Sequence, residues 1–230
     1  MLLPIGNSGF VELLETFGSD LTVVNAARVS FNKESNELVE RDVKLINYLA
    51  KHEHSSPFFH PQIRLRLKMP IFVAREWFRH TIGFARNEVS RRYVDSAPEV
   101  WIPTEFRERD ANLKQGSKPG PVANNDEVRE LYQKAVETAI GAYNSMLEAK
   151  VAPEIARSVL PLGLYTEFIE TGSLAAYSRL CNLRLDPSAQ KEIQEFARAV
   201  HDLVKEKFPI SWSALTVAST ASNASTASTE

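Results

Sequence analysis

The sequence predicts an α+β fold in which a mixed or antiparallel sheet is packed with long helices. Two patterns lead to that reading. Across residues 61–69, Ile63, Leu65, Leu67 and Met69 alternate with Gln62, Arg64, Arg66 and Lys68, giving a strand with one apolar and one basic face. Farther along, Val128, Leu131, Tyr132, Ala135, Ala139, Tyr143 and Met146 recur at helical spacing, as do Ala189, Ile193, Ala197, Val200 and Val204.

The remaining elements follow in chain order. Residues 10–17 (FVELLETF) are β-prone and stop at Gly18, after which Asp20 is placed to cap a short helix through Arg28. Val39, Val43, Ile46, Tyr48 and Leu49 predict a helix over 38–51. Pro70 suits a first helical turn, where its missing N–H costs nothing, and that helix is predicted to run to Ile82 and stop at Gly83. The polar stretch that follows, up to Tyr93, reads as a loop. Residues 107–125, with Gly116, Pro119, Gly120 and Pro121, read as a long surface loop, and Asn125 or Asp126 as the cap of the next helix. Pro153 starts a short helix and Pro161 ends or kinks it. Residues 164–171 read as a strand before Gly172 and another helix. Asp186-Pro187 is predicted to open the last long helix. Residues 216–230 are rich in Ala, Ser and Thr, have almost nothing to bury, and are predicted to be a disordered, dispensable tail beyond a domain over 1–215.

At 230 residues the chain is long enough for a substantial core without disulfides. Its single cysteine, Cys181, excludes an internal disulfide framework and any multi-cysteine metal site, so no metal is assigned. Cys181 itself reads as a small packing residue. The apolar run 69–74 is too short to span a bilayer, and the first residues lack a basic leader; a cytoplasmic, membrane-free protein is expected.

Charge is unevenly placed. Between Arg64 and Tyr93 eight basic side chains face only Glu76 and Glu88, inside a chain of net charge -2. A cationic zone in an otherwise acidic protein points to small anionic ligands rather than long nucleic acid. Arginine offers bidentate, permanently charged recognition of phosphate and carboxylate.

The densest part of that zone is Arg79-His80-Thr81, leading on to Asn87-Glu88-Val89-Ser90-Arg91-Arg92-Tyr93. It resembles the signature of the flavin-dependent thymidylate synthases, which is Arg-His-Arg, seven residues, then Ser. Flanking blocks are similar to that family too: AARVSF at 26–31, PIFVAREWFRH at 70–80, LPLGLYT at 160–166 and NLR at 182–184. The resemblance implies the fold of that family and a homotetramer with active sites shared between subunits around FAD. It implies methylation of dUMP to dTMP, with methylenetetrahydrofolate giving carbon and NADPH giving hydride through FAD. A relative adding another one-carbon group to a pyrimidine nucleotide is the alternative. A single-strand nucleic-acid binder is disfavoured by the acidic remainder of the chain.

Carried over position by position, the resemblance implies that Arg184 faces the pyrimidine edge and stabilises charge developing there. Glu76, Arg79, Glu88, Ser90, Arg91, Arg92 and Arg157 would hold dUMP. His54, Ser56, Arg79, His80, Thr81, Glu88, Ser173, Ala175 and Arg179 would hold FAD. The chain departs from the family pattern in several places. Thr81 stands for the second motif arginine, one extra residue precedes Asn87, Phe59 replaces a glutamate, and Glu76 replaces a glutamine. Ser173 and Ala175 stand where Asn and Arg often meet flavin, and Arg179 where Asn does. These departures suggest that Arg86, brought in by the extra residue, bulges back to replace the charge missing at Thr81.

Overall fold

The computed structural model describes residues 1–94, 96–110 and 116–216. Strands β1 (Leu2–Ile5), β2 (Gly9–Phe17), β3 (Gln62–Pro70), β4 (Phe84–Glu88) and β7 (Tyr165–Ser173) form one sheet in the order β1-β2-β3-β7-β4, antiparallel throughout. The shorter β5 (Arg107–Arg109) and β6 (Ser117–Pro121) pair as a separate ribbon. Helices α1 (Asp20–Arg28), α2 (Glu40–Lys51), α3 (Ile71–Trp77), α4 (Asn125–Glu148), α5 (Pro153–Ala156), α6 (Leu174–Arg184) and α7 (Lys191–Lys207) complete the architecture.

The central strand β3 behaves as its alternation predicts. Ile63, Leu65, Leu67 and Met69 are fully buried, against Trp77, Phe168, Leu180, Val200 and Trp212 among others. Arg64, Arg66 and Lys68 occupy the opposite face, where acidic residues from neighbouring segments meet them. Arg64 pairs with Glu15, Arg66 with Glu12 and Glu167, and Lys68 with Glu99. Three of the eight basic residues of the cationic segment therefore belong to an ion-paired sheet face.

Several boundaries differ from the sequence reading. Pro70 is the last residue of β3 and the N-cap of α3, and the helix ends at Trp77 rather than Ile82. Gly83 lies farther on, in the turn between that helix end and the next strand. Its φ is +82°, and a Cβ there would lie 3.0 Å from the Ala176 Cβ and 3.1 Å from Ser173 Oγ, so the chain turns tightly over the start of α6. It then enters β4, an edge strand where a loop was predicted. The 107–125 segment contains the β5–β6 ribbon rather than loop alone. Asn124 caps α4, and Asn125 instead accepts the Phe106 N–H at 2.8 Å. Asp186 does not open α7. It accepts the Ser188 N–H at 2.8 Å in a preceding turn, and Gln190 stands at the cap. Ser19, not Asp20, caps α1. In α4 only Val136 and Tyr143 are buried, and Leu131 is 70% exposed, so the predicted stripe is only partly covered within one chain. Thr216 belongs to a terminal helical segment, 209–216, and the rest of the predicted tail lies outside the described residues.

Asp20 has a different task. Its buried carboxylate accepts the N–H groups of Ile210 and Ser211 at 3.0 and 2.8 Å, capping that terminal segment across the molecule. Asp20→Ala would leave both donors unpaired in the interior. A loss of about 1–2 kcal/mol is expected, read as a lowered urea midpoint at unchanged slope.

Candidate active site

Three elements meet where the cationic motif leaves α3. The last turn of α3 supplies Glu76, the tight turn after it supplies Arg79 and His80, and the C-terminal residue of α6 is Arg184. Arg184 Nε donates to His80 Nε2 at 2.9 Å, and its Nη1 pairs with the Glu76 carboxylate. The same turn is tied to α6 a second time, because Arg179 donates to the Ile82 carbonyl at 2.8 Å while lying over the Phe59 ring. Arg79 projects outward and exposed.

Electrostatics keep His80 neutral. Burial first, then the surrounding guanidinium groups of Arg184, Arg86, Arg179 and Arg79, hold its pKa down at about 4, against an ordinary 6.5. The unfolded chain binds the proton below about 6.5, while the folded chain resists it until about 4. Stability linked to His80 is thus complete above that window and lost as pH falls through it. A histidine NMR titration should place the His80 midpoint near 4, and a midpoint near 6.5 would contradict the arrangement.

Beyond β4 lies a cavity of about 400 Å³ that brings together Glu88, Arg91 and Arg157 from the predicted nucleotide set. Glu88 accepts the Thr166 hydroxyl at 2.6 Å. Arg91 is anchored through the Ser96 and Ala97 carbonyls, and Ser90 accepts from Arg92 Nε at 3.2 Å. Sequence reasoning missed Lys68, Tyr165 and Thr166 in this wall. The Lys68 ammonium donates to both Glu99 oxygens at 2.9 Å. Tyr165 OH donates to Asn7 Oδ1 at 2.9 Å, and burial pushes its pKa up to about 12. The polar face of β3 and the 160–166 block were the available signals. With arginine, lysine, carboxylate and hydroxyl groups in one wall, the donor set suits a phosphorylated sugar.

A second cavity, about 390 Å³, runs between the end of α2 and α6 and collects His54, Ala175 and Arg179 from the predicted flavin set. Lys51, Ser178 and Asn182 line it as well, over an apolar floor of Leu49 and Phe58. Small residues, an apolar floor and several cations fit a flat ring system carrying phosphate. The two cavities share no lining residue. Ser56 and Thr81 are exposed near them. Ser173 is buried, with its hydroxyl accepting the Ala176 N–H at 3.2 Å as the cap of α6.

Arg86 does not replace the charge missing at Thr81. The extra residue produces no bulge: β4 pairs with β7 in unbroken register, Arg86 opposite Glu170. Arg86 points inward, ion-paired to the fully buried Glu170 and set over the Phe78 and Phe84 rings. Cys181 is completely buried, its thiol pushed up by burial, and serves as packing.

An arginine-lined cavity and a ring-sized one, in a fold that also fixes an Arg–Glu–His cluster, have the charge and shape to take anionic, flat ligands, as an enzyme of small phosphorylated substrates would. The family described as "Thymidylate synthase complementing protein" matches residues 12–210. A flavin-dependent thymidylate synthase from Thermus thermophilus is 42% identical over 214 residues, covering 93% of this chain and 78% of that one. A second, from Thermotoga neapolitana, is 40% identical over 214 residues, covering 93% and 94%. Among solved structures, the UMP/dUMP methylase PolB from Streptomyces cacaoi bound with 5-Br dUMP superposes with a TM-score of 0.81 at 30% identity, covering 91% of this chain and 95% of that one. The chain belongs to the flavin-dependent thymidylate synthase family, and it is an enzyme of the methyltransferase class.

Proposed function

We propose that this enzyme methylates dUMP to dTMP, with methylenetetrahydrofolate as carbon donor and NADPH as reductant through FAD. The observation that carries the reading is Arg184, held by Glu76 and His80 where the cationic motif leaves α3, in a chain whose relatives are named flavin-dependent thymidylate synthases. Bound FAD would relay reducing equivalents between NADPH and the nucleotide. This chain's own residues do the rest. Arg79, Arg91, Arg92 and Arg157 offer guanidinium groups to the phosphate, and Glu88 and Ser90 offer hydrogen bonds to sugar or base. Arg184 presents a fixed cation where negative charge develops on the pyrimidine. His54, Ala175 and Arg179, with Lys51 and Ser178, form the wall suited to the flavin.

Separate cavities, together with the open apolar face of α4, support a homotetramer in which neighbouring copies complete each site. Location in the cytoplasm, where the nucleotide and folate pools lie, belongs to the same reading. The test is to incubate the protein with dUMP, methylenetetrahydrofolate, FAD and NADPH and to weigh the nucleotide product. A mass gain of one methylene unit supports the proposal, and unchanged dUMP with a competent flavin refutes it. A parallel assay with UMP is warranted, because a second PolB structure, bound with 5-Br UMP, also superposes well, with a TM-score of 0.78.

A further inference from the structure

We propose that Glu76 and His80 act on the substrate through Arg184, as positioning residues that decide which of its N–H groups face the ligand. The inference rests on the dUMP reading above and adds a division of labour inside the site.

Arginine carries a long, flexible stem, and a guanidinium free to swing would arrive at the pyrimidine in many orientations. Here it is held on two sides. The Nε–H is taken by His80 Nε2 at 2.9 Å, and one Nη1 proton by the Glu76 carboxylate. The Nη2 group makes no hydrogen bond among the described residues, so it is the nitrogen of Arg184 left wholly open to a ligand. The stem starts at the last residue of α6, whose first turn is packed under Gly83, so helix and turn are registered against each other. Arg184, Glu76 and His80 come from three different elements, and their side chains are partly buried, Arg184 at 18% and Glu76 at 23% exposure.

His80 can accept from Arg184 only as the neutral tautomer with its proton on Nδ1. Burial and the charged groups facing it keep it neutral, Arg184 and Arg179 from α6, Arg86 from β4 and Arg79 from its own turn, with Glu76 reaching it only across Arg184, and the bond to Nε2 selects the tautomer. A Glu76 that touched the nucleotide directly would have to leave the guanidinium it now holds. Likewise, a protonated His80 would turn a donor toward a donor and release Nε.

A double-mutant cycle on the flavin-loaded enzyme tests this, using Glu76→Ala, Glu76→Gln, Arg184→Ala and the Glu76→Ala/Arg184→Ala pair. Glu76→Ala should lower kcat by about tenfold to a hundredfold with KM for dUMP little changed, as misplacement of a catalytic group does. Glu76→Gln keeps an acceptor oxygen and should recover most of that loss. The double variant should be no slower than Arg184→Ala alone. Losses that add, or a raised KM at unchanged kcat, would overturn the proposal by placing Glu76 on the nucleotide itself. Flavin content and melting temperature report whether each variant folds. Nitrogen-15 NMR of the ligand-free wild type gives a readout independent of turnover. The expected signal is an Nδ1-protonated, neutral His80 whose Nε2 resonance moves in Arg184→Ala. An Nε2-protonated His80 would overturn the proposal. If the wild type shows the expected histidine but leaves dUMP untouched, the dUMP reading fails and the positioning geometry stands.

Discussion

Arg184→Ala lowers methylation of dUMP by about 100–1,000-fold while the fold and its flavin are retained; this is the expected result of removing one donor preorganised toward developing charge. The argument has two parts. A cation fixed by Glu76 and His80 does not reorganise when charge appears on the ring, so its full interaction is available in the transition state. The same residue contributes little to stability, because it ends a helix at the edge of the core and its partner carboxylate, 23% exposed, can return to water. Saturating kcat and the thermal midpoint separate the two effects. Arg184→Lys retains charge but offers a point donor in place of a fork, so it cannot satisfy His80 and Glu76 together, and only partial recovery is expected. Near-normal turnover in Arg184→Ala would remove this residue from the chemistry.

The second large effect is structural. Glu170 is completely buried, accepts Trp77 Nε1 at 3.2 Å on both oxygens, and pairs with Arg86. Burial pushes its carboxyl up, and the opposing pull of Arg86 and Trp77 does not overcome that. Arg86 is sandwiched against Phe78 and Phe84, and its Nη2 is buried without a hydrogen-bond partner among the described residues. Removing either member is therefore unequal. Glu170→Ala strands a guanidinium that cannot shed its charge, and should cost about 3–5 kcal/mol, a large share of a typical folding free energy. Arg86→Met keeps the apolar stem and leaves a carboxyl that can take up a proton, so it should cost less. The sign of the pH dependence follows. A carboxyl raised in the folded state contributes fully below its unfolded pKa, and that contribution is lost as pH rises through the folded value. Arg86→Met should accordingly lose stability from acid toward neutral pH. Urea unfolding of both variants across that range is the measurement, and equal losses at neutral pH would contradict the asymmetry.

The sequence by itself determined the elements whose physics is local. The strict alternation over 61–69 could only serve a half-buried strand, and β3 is that strand. The motif blocks placed the chain in its family, and Cys181 could be set aside as packing. What the tertiary structure alone decided is where each cation goes. Arg64, Arg66 and Lys68 look like ligand-binding charges in the sequence, yet carboxylates across the sheet face and from the segment beside it claim them. Arg86 looks free to reach a cofactor, but Glu170, 84 residues away, draws it into the core. Arg184 meets His80 and Glu76 across 104 and 108 residues. Turns and caps are decided in the same way: Gly83 carries the chain closely over α6, and Asp20 found its donors at Ile210 and Ser211. Periodicity is written in neighbours a few residues apart, whereas the partner of a charge is chosen by strand register and helix packing, which no local pattern encodes.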